Sequence, residues 1–267
     1  MKKYLVNPGD QVNLSNWDPN DTGDFKGGKD EGLAEIAKFD KQLSQLQELL
    51  YAEHKHKVLI VLQALDTGGK DGTIKHVFDG VNPQGVRVAK FDVPTPEELD
   101  HDYLWRIHNV IPGKGEMVIF NRSHYEDVLV VRVHNLVPPK EWKKRFDQIN
   151  QFERFLVDNG TTILKFYLHI DRDEQKTRLQ ARIDDPTKHW KFRLGDLAER
   201  KLWSDYMLAY EDVLTRTSTA YAPWFIVPSN RKWYRDLVIS SVLVDALASL
   251  AMKFPEPAEK LDGLVVE

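Results

Sequence analysis

A continuous apolar segment followed at once by a glycine-rich turn is the feature that most constrains the fold of this chain of 267 residues. Residues 57–65, KVLIVLQAL, show no regular alternation of apolar and polar side chains, which predicts a strand buried on both faces of a parallel sheet. Residues 66–72, DTGGKDG, form the turn, and residues 71–80, DGTIKHVFDG, predict a helix that begins within it and ends at Gly80. A strand, a glycine-rich turn and a helix in this order are typical of loops that bind phosphate.

The turn differs from the usual phosphate-binding sequence, G-x-x-x-x-G-K-[ST], by carrying two carboxylates. Gly69 and Lys70 occupy their usual places, but Asp71 stands at the hydroxyl position and Asp66 lies inside the turn. Carboxylates beside a phosphate are unfavourable unless a cation neutralises them, and Mg²⁺ is usually held by one or two carboxylates with phosphate oxygens. We therefore predict that backbone amides and Lys70 hold phosphate, and that the turn carries its own metal ligand or general base. An ordinary glycine turn with Asp71 as helix N-cap is the simpler interpretation.

The rest of the chain alternates predicted strands with predicted helices, which favours an α/β fold with a parallel sheet covered on both faces. Further strands are predicted at 85–91, 116–121, 161–170 and 224–229. Helices are predicted at 33–52, 96–109, 139–160, 172–216 and 231–251. The predicted organisation is an irregular arm at 1–29, a single domain at 30–254 with a five-stranded sheet, and a loosely ordered tail at 255–267.

Composition excludes several classes of protein. The formal net charge of −4 argues against a general nucleic-acid binder, because phosphate contacts need a basic surface. The chain has no cysteine, which excludes disulfides and thiolate metal sites and fits the reducing cytoplasm in which we expect the protein. No apolar run approaches the roughly 18 residues needed to span a membrane, and the N-terminal sequence has no apolar core of a signal peptide. We expect neither a nucleic acid nor a membrane as partner.

A second polar cluster, FNRSHYED at 120–127, follows the third predicted strand. Ligands of parallel sheets gather at the carboxyl ends of the strands, so this cluster is expected beside the glycine-rich turn. Arg122 is suited to bidentate contact with phosphate, and Glu126 or Asp127 could bind Mg²⁺ or an acceptor hydroxyl. The structural alternative is a helix start with Ser123 as N-cap and Glu126 closing a capping box.

Several unlike motifs occur together and in order. GGKDGTIKHVFDGVNPQGVRVAKFDVPTPEELDHDYLWRIH is followed by FNRSHYEDVLV and later by KHWKFRLGDLAERKLWSDYMLAYEDVLTRTSTAYAPWFIVPSNRKWYR. Over about residues 30–252 this sequence resembles the polyphosphate kinase 2 family. The resemblance implies a three-layer P-loop kinase-like fold with a helical lid, and the use of inorganic polyphosphate with Mg²⁺ to phosphorylate nucleotides. Mn²⁺ is expected to substitute for Mg²⁺.

The resemblance assigns roles to both polar clusters. The Walker A region of the family matches Asp66, Gly68, Gly69, Lys70, Asp71 and Gly72. The residues of this loop that we predict to bind phosphate, with two neighbouring threonines, are Thr67, Gly68, Gly69, Lys70, Asp71, Gly72 and Thr73. Many members have Asp where this chain has Asn121 and Asn where it has Glu126, a difference that resembles the class III subgroup, which accepts both AMP and ADP. We predict Asp66 and Asp127 as the Mg²⁺ ligands, with Glu126 as the further candidate.

A basic stretch at the position of the family's lid completes the predicted site. Residues 172–201 contain nine Lys or Arg and six Asp or Glu. An excess of cations in a lid suits a polyanion, and closure of a lid excludes water. The lid is predicted at about 172–216, with Arg178 and Arg182 as catalytic residues and Lys188 and Arg193 as phosphate ligands, together with Lys75 beyond the loop. A solvated helix face is the alternative for each of them.

The predicted acceptor site lies after the second strand, where related kinases bind the acceptor base. Phe91, Asp92 and Val93 are predicted to bind nucleotide with Asn121, although a core or turn role is equally open.

The predicted reaction transfers the terminal phosphoryl group of polyphosphate to AMP and ADP, with guanine nucleotides as further candidate acceptors. The predicted catalytic residues are Asp66, Lys70, Arg122, Glu126, Asp127, Arg178 and Arg182. Two alternatives stay open: a nucleoside monophosphate kinase that uses ATP, and a nucleotide-binding regulatory module without turnover. The family implies a homo-oligomer, a dimer or a tetramer.

Overall fold

A six-stranded sheet forms the centre of the computed structural model, which describes residues 1–266. The strands are β1 (Leu5–Val6), β2 (Lys57–Gln63), β3 (Val86–Lys90), β4 (Met117–Asn121), β5 (Thr161–His169) and β6 (Trp224–Pro228). Their order in the sheet is β1-β6-β5-β2-β4-β3. The five predicted strands are parallel to one another, and β1 pairs antiparallel with β6. The sixth strand was not predicted, because a two-residue strand carries no recognisable sequence period.

Helices cover both faces of the sheet, as predicted. They are α1 (Lys29–Glu53), α2 (Lys70–Val77), α3 (Pro96–Asp100), α4 (Trp105–His108), α5 (Val130–Val133), α6 (Pro139–Asp158), α7 (Arg172–Asp184), α8 (Leu194–Lys201), α9 (Trp203–Thr217) and α10 (Lys232–Ser249). Successive residues of a strand face opposite sides. Leu59 and Val61 of β2 accordingly pack in a core with α6 and α9. Val58 and Ile60 pack in a second core with α1 and α10.

Two predicted helices are interrupted. The segment 96–109 forms the short helices α3 and α4, because the Asp102 side chain accepts a hydrogen bond from the Leu104 amide at 2.9 Å and closes a local turn between them. The stretch 172–216 forms α7, a 3₁₀ segment (Pro186–Lys191), α8 and α9. Pro186 ends α7, because proline disfavours helical geometry in the residue before it. Residues 251–266 form no helix or strand.

The order of the strands determines which loops meet. Strand β2 lies between β4 and β5, so the segments that follow β2 and β4 are neighbours at the carboxyl edge of the sheet. Within residues 1–266, no helix has both the length and the apolar character of a transmembrane span.

Candidate active site

The glycine-rich turn between β2 and α2 requires glycine at two positions. A Cβ atom on Gly68 would lie 2.4 Å from the Cβ of Ala64. Gly69 has a φ of 112°, and a Cβ there would lie 2.1 Å from Nη1 of Arg235. Thr67 also adopts a positive φ, of 64°, which is uncommon for a residue with a branched side chain. The turn is therefore held in a conformation that most side chains would prevent.

Lys70 lies at the start of α2, where its side chain is partly buried and lines the loop cavity described below. Its Nζ donates a hydrogen bond to the Ala64 carbonyl oxygen at 2.8 Å. Burial, and next the positive charge of Arg122, lower the pKa of Lys70 to about 8. Three carboxylates oppose this shift: Asp66, Glu126 and Asp71. Lys70 thus has both a positive group, Arg122, and negative carboxylates around it. Such surroundings are expected for a phosphate ligand that lies next to a metal ligand.

Arg122 follows β4 directly and turns toward the loop. Its backbone has a φ of 63°, and its amide donates to the Leu62 carbonyl oxygen at 3.1 Å. A left-handed conformation in a residue other than glycine costs about 1–3 kcal/mol and persists where the surroundings impose it. The guanidinium Nη2 lies 3.3 Å from Asp66 Oδ1. The prediction that the segments after β2 and β4 meet is confirmed by this contact.

Two cavities meet at Asp66 and Arg122, which line both of them. The first, here called the loop cavity, has a volume of about 400 Å³. Its other lining residues come from the turn, from β3 and β4 and from the lid: Thr67–Gly72, Lys90, Asp92, Asn121, Arg182, Trp190, Lys191, Arg193 and Asp196. The second, here called the aromatic cavity, has a volume of about 240 Å³. Its other lining residues are Ala64, Leu65, Glu126, Leu129, Val130, His134, Gln175, Glu199, Trp203, Tyr206 and Tyr210.

Glu126 faces the aromatic cavity from a 3₁₀ turn, His124–Asp127. Burial raises the pKa of Glu126, and Arg122 and Lys70 oppose that shift. The buried Gln63 amide can donate to Glu126 Oε1 at 3.0 Å while it accepts from the Ser123 hydroxyl at 3.0 Å. The carboxylate is thus held from behind, with its charge directed toward Arg122 and the cavity.

Asp127 lies apart from Asp66, although both were predicted as Mg²⁺ ligands. Its Oδ1 lies 3.0 Å from Arg145 Nη1, and it lines a third cavity with Arg106. Burial raises the pKa of Asp127 to about 6, although Arg145 and Arg106 partly offset this effect. Among residues 1–266, no three or more His, Asp or Glu side chains form a group able to hold a metal ion.

The remaining residues of the loop differ in whether their side chains have a hydrogen-bond partner. Asn121 Nδ2 donates to Asp71 Oδ1 at 2.8 Å, so these two side chains are paired with each other within the loop cavity. The hydroxyls of Thr67 and Thr73 are buried and have no hydrogen-bond partner among the described residues. Gly72 lines the cavity close to the guanidinium of Arg235.

The predicted lid cations divide into two groups. Arg182 and Arg193 line the loop cavity, where Arg182 Nη1 also donates to the Lys191 carbonyl oxygen at 3.0 Å. Arg178 instead holds the turn from behind, since its Nη1 donates to the carbonyl oxygens of Thr67 at 2.9 Å and Gly68 at 3.2 Å.

Two further predicted cations lie on the surface. Lys188 pairs with Asp185 at 2.7 Å. Lys75 is exposed on α2 and has no ion-pair partner among residues 1–266.

The segment predicted to bind nucleotide after β3 is only partly directed to the site. Phe91 lies in the core and packs edge-on against Phe120, with ring centroids 4.9 Å apart. Asp92 lines the loop cavity and pairs with Lys90 at 2.8 Å, whereas Val93 is 89% exposed. Phe91 therefore has the core role that the sequence left open.

Two groups of residues at the site were not predicted. Trp203, Tyr206 and Tyr210 line the aromatic cavity from α9, and their spacing of three and four residues, which puts them on one helix face, was a signal for them. Arg235 is only 1% exposed and packs against Gly69. The basic segment RKWYR, at 231–235, was the corresponding signal.

Comparison with known proteins agrees with the resemblance seen in the sequence. The family model described as Polyphosphate kinase 2 (PPK2) matches residues 26–255. An AMP/ADP-polyphosphate phosphotransferase of Meiothermus ruber is 58% identical over 267 residues and is covered, like this chain, over 100% of its length. An ADP-polyphosphate phosphotransferase of Rhodopseudomonas palustris is 43% identical, over 98% of this chain and 96% of its own.

A crystal structure of Polyphosphate Kinase 2 from Arthrobacter aurescens TC1 superimposes with a TM-score of 0.93 at 45% identity. The match covers 96% of this chain and 92% of that one. The predicted P-loop kinase-like fold is thereby confirmed. This chain belongs to the polyphosphate kinase 2 family.

Proposed function

We propose that this protein is a polyphosphate:nucleotide phosphotransferase that moves the terminal phosphoryl group of inorganic polyphosphate to AMP and ADP. The observation that carries the proposal is the position of Asp66 and Arg122, which line two cavities of different chemistry. A reaction between two substrates needs a point at which their binding cavities meet. Here a positive side chain, Arg122, and a negative one, Asp66, lie at the point where the phosphoryl group would be transferred. The activities for which the two relatives above are named support the same reaction.

The loop cavity suits the polyphosphate donor. It combines the backbone of the turn and Lys70 with three lid cations, Arg182, Lys191 and Arg193. Repeated phosphates need many fixed positive charges, and backbone amides at a helix start bind one of them.

The aromatic cavity suits the nucleotide acceptor. Trp203, Tyr206 and Tyr210 offer ring surfaces to a purine base. Arg122 lies at its junction with the loop cavity, where it could grip the acceptor phosphate in a bidentate way. The sequence predicted nucleotide binding at Phe91 and Val93, but Phe91 is a core residue and Val93 is exposed to solvent. We therefore propose that the base binds in the aromatic cavity. Guanine nucleotides belong to the proposal as further acceptors.

Mg²⁺, with Mn²⁺ as substitute, is the cation we propose. Asp66 suits it because its carboxylate is partly exposed and lines both cavities, and Glu126, which lines the aromatic cavity with it, is the candidate for a second ligand. Asp127 would first have to leave Arg145. When bound, such an ion neutralises charge between donor and acceptor phosphates.

The chain's own residues account for the rest of the mechanism. An oxygen of the acceptor phosphate attacks the terminal phosphorus of polyphosphate, and the bond to the bridging oxygen breaks, which leaves a chain shorter by one phosphate. Lys70 and Arg122 stabilise charge on the transferred group. The acceptor phosphate is already anionic near neutral pH, so no strong general base is needed. Closure of the lid over the loop cavity would exclude water and prevent hydrolysis.

The deciding experiment supplies purified protein with Mg²⁺, AMP or ADP, and long-chain polyphosphate as the sole phosphate donor. We expect ADP from AMP and ATP from ADP. Lys70→Ala should lower the rate about 100-fold or more, since it removes charge stabilisation in the transition state. Lys75→Ala is the matched control and should change the rate less than twofold, because this exposed lysine of the same helix does not line the loop cavity and so does not have the phosphate contact predicted from the sequence. Product from ATP but none from polyphosphate would support the ATP-dependent alternative, and no product from either donor would support a binding module.

Assembly and location complete the proposal. We propose self-association to a dimer or tetramer and a cytoplasmic location, where both substrates are available. Light scattering coupled to size-exclusion chromatography tests the assembly, and a monomer at micromolar concentration would contradict it.

A further inference from the structure

A buried polar network lies directly beneath the turn that carries Glu126. It consists of Lys165 on β5, Glu153 on α6, and Tyr125 and His124 in the turn itself, and is here called the Lys165 network. All four side chains are 0% exposed. The proposed reaction does not use any of them.

The network is closely bonded within itself. Lys165 Nζ donates to Glu153 Oε2 at 2.6 Å, to the Tyr125 hydroxyl at 2.9 Å and to the Thr217 carbonyl oxygen at 2.7 Å. The Tyr125 hydroxyl in turn donates to Glu153 Oε1 at 2.7 Å. His124 Nε2 lies 3.3 Å from the same oxygen. Glu153 is therefore in contact with His124 and Tyr125 of the turn and with Lys165.

Stability does not explain a charged pair at this place. A central strand and a core helix face would ordinarily carry apolar residues, and Phe146 and Ile149 of α6 pack in the same core. Replacing a buried ion pair by apolar side chains of similar volume is often neutral or stabilising, because desolvation offsets the attraction. A network of this kind can instead specify one arrangement of the segments that it joins.

The segment that it joins is the one that carries the proposed acceptor contacts. His124 and Tyr125 immediately precede Glu126, and the next residue back, Ser123, bonds through its hydroxyl to Gln63. Gln63 in turn reaches Glu126. Inward contacts from three successive residues leave the fourth, Glu126, facing the aromatic cavity. A change in the tilt of this turn would move the Glu126 carboxylate relative to Arg122.

We propose that Lys165 and Glu153 are positioning residues: they hold the His124–Asp127 turn so that Glu126 keeps its place beside the acceptor nucleotide. The inference rests on the proposed function, since it concerns the acceptor side of that reaction. It makes selection between AMP and ADP depend on two residues that touch neither substrate.

The double variant Lys165→Met with Glu153→Leu tests the proposal, because it removes both charges and keeps volume. We expect it to fold with a lowered melting temperature, because the Tyr125 hydroxyl loses its acceptor on Glu153 and the Thr217 carbonyl oxygen loses its donor on Lys165. We expect kcat/KM for AMP to fall about tenfold or more, since small misplacements at a reacting centre have effects of this size. The loss for ADP should be smaller, and KM for polyphosphate should change less than twofold.

Two further variants separate positioning from general damage to the core. Phe146→Leu, on the same helix and in the same core but without a hydrogen bond to the Lys165 network, should lower the melting temperature and leave the ratio of AMP to ADP use unchanged. Tyr125→Phe removes one hydroxyl and keeps the ring, so it should fold and should shift the ratio in the direction of the double variant.

A folded double variant with the wild-type ratio and rates would overturn the proposal. If the double variant does not fold, Tyr125→Phe decides in the same way: an unchanged ratio overturns the inference and a shifted ratio supports it. Wild-type protein that transfers no phosphate from polyphosphate would contradict the proposed function instead, so the two failures are distinct.

Discussion

Arg122 Nη2 lies 3.3 Å from Asp66 Oδ1, at the place where the loop cavity and the aromatic cavity meet. The two residues are 56 positions apart in the chain and follow neighbouring parallel strands. Each therefore holds the other at the junction before any substrate is present. We expect an acceptor phosphate to take the place of Asp66 as the partner of Arg122, which leaves the carboxylate to a divalent cation.

This exchange predicts that Asp66→Asn raises the Mg²⁺ concentration needed for half-maximal rate and lowers kcat about 100-fold, because an amide is a poor ligand for this ion. Asp71→Asn is the matched control, since Asp71 already accepts a hydrogen bond from Asn121. It should leave the Mg²⁺ requirement within about twofold of wild type. The rate measured against Mg²⁺ concentration checks both variants. Equal shifts in the two would remove the special role of Asp66.

Glu126 and Asp127 are adjacent in sequence but face different cavities, which predicts different effects of the same substitution. Glu126→Asn should reduce phosphorylation of AMP more than that of ADP, because Glu126 lines the proposed acceptor cavity. Asp127→Asn should leave the ratio of the two activities unchanged, because its carboxylate pairs with Arg145. Initial rates with each nucleotide at saturating polyphosphate give the ratio. A shift caused by Asp127→Asn alone would contradict this assignment.

The lowered pKa of Lys70 predicts an alkaline limit to activity. Burial and Arg122 bring this pKa to about 8, so Lys70 is charged below that pH and neutral above it in the free protein. Because kcat/KM reports ionisations of free protein and substrate, its value for polyphosphate should fall as pH rises through about 8. Lys70→Arg should move the fall to higher pH, since arginine keeps its proton. A wild-type profile that stays flat well above pH 8 would exclude this role for the lysine.

Gly69→Ala should damage the loop more than the same change at another glycine of positive φ. At Gly69 the new Cβ would lie 2.1 Å from the buried Arg235 guanidinium, and the φ of 112° adds strain. At Gly80, where φ is 86°, nothing lies within 4 Å, so Gly80→Ala has the backbone cost alone. We expect a larger fall in the free energy of unfolding for Gly69→Ala, by about 1–3 kcal/mol, and loss of transfer. Chemical denaturation of both variants measures their free energies of unfolding. Equal losses in the two variants would show that contact with Arg235 does not restrict residue 69.

The parts of the site that could be predicted follow from backbone patterns. The apolar run before Asp66 indicated a central strand, and parallel strands bring their carboxyl ends together, so the meeting of Asp66 and Arg122 was predictable. The glycines at 68 and 69 indicated a turn closed to larger side chains. These features depend on residue type and on order along the chain, which a single sequence contains.

The directions of individual side chains were not predictable in the same way. Glu126 and Asp127 are adjacent in a 3₁₀ turn, yet Glu126 lines the aromatic cavity and Asp127 pairs with Arg145. Arg178 was expected to reach phosphate, yet it donates to carbonyl oxygens of the turn. Phe91 directly precedes Asp92, which lines the loop cavity, but the Phe91 ring packs in the core against Phe120. Each outcome depends on a partner distant in sequence.

Transfer of label from polyphosphate radiolabelled in its terminal phosphate to AMP tests the central claim most directly. The account predicts that label enters the β-phosphate of ADP in proportion to the terminal phosphate lost, and that Arg122→Lys reduces this transfer strongly. Label released only as orthophosphate, or ADP formed without label, would contradict direct transfer between the two cavities.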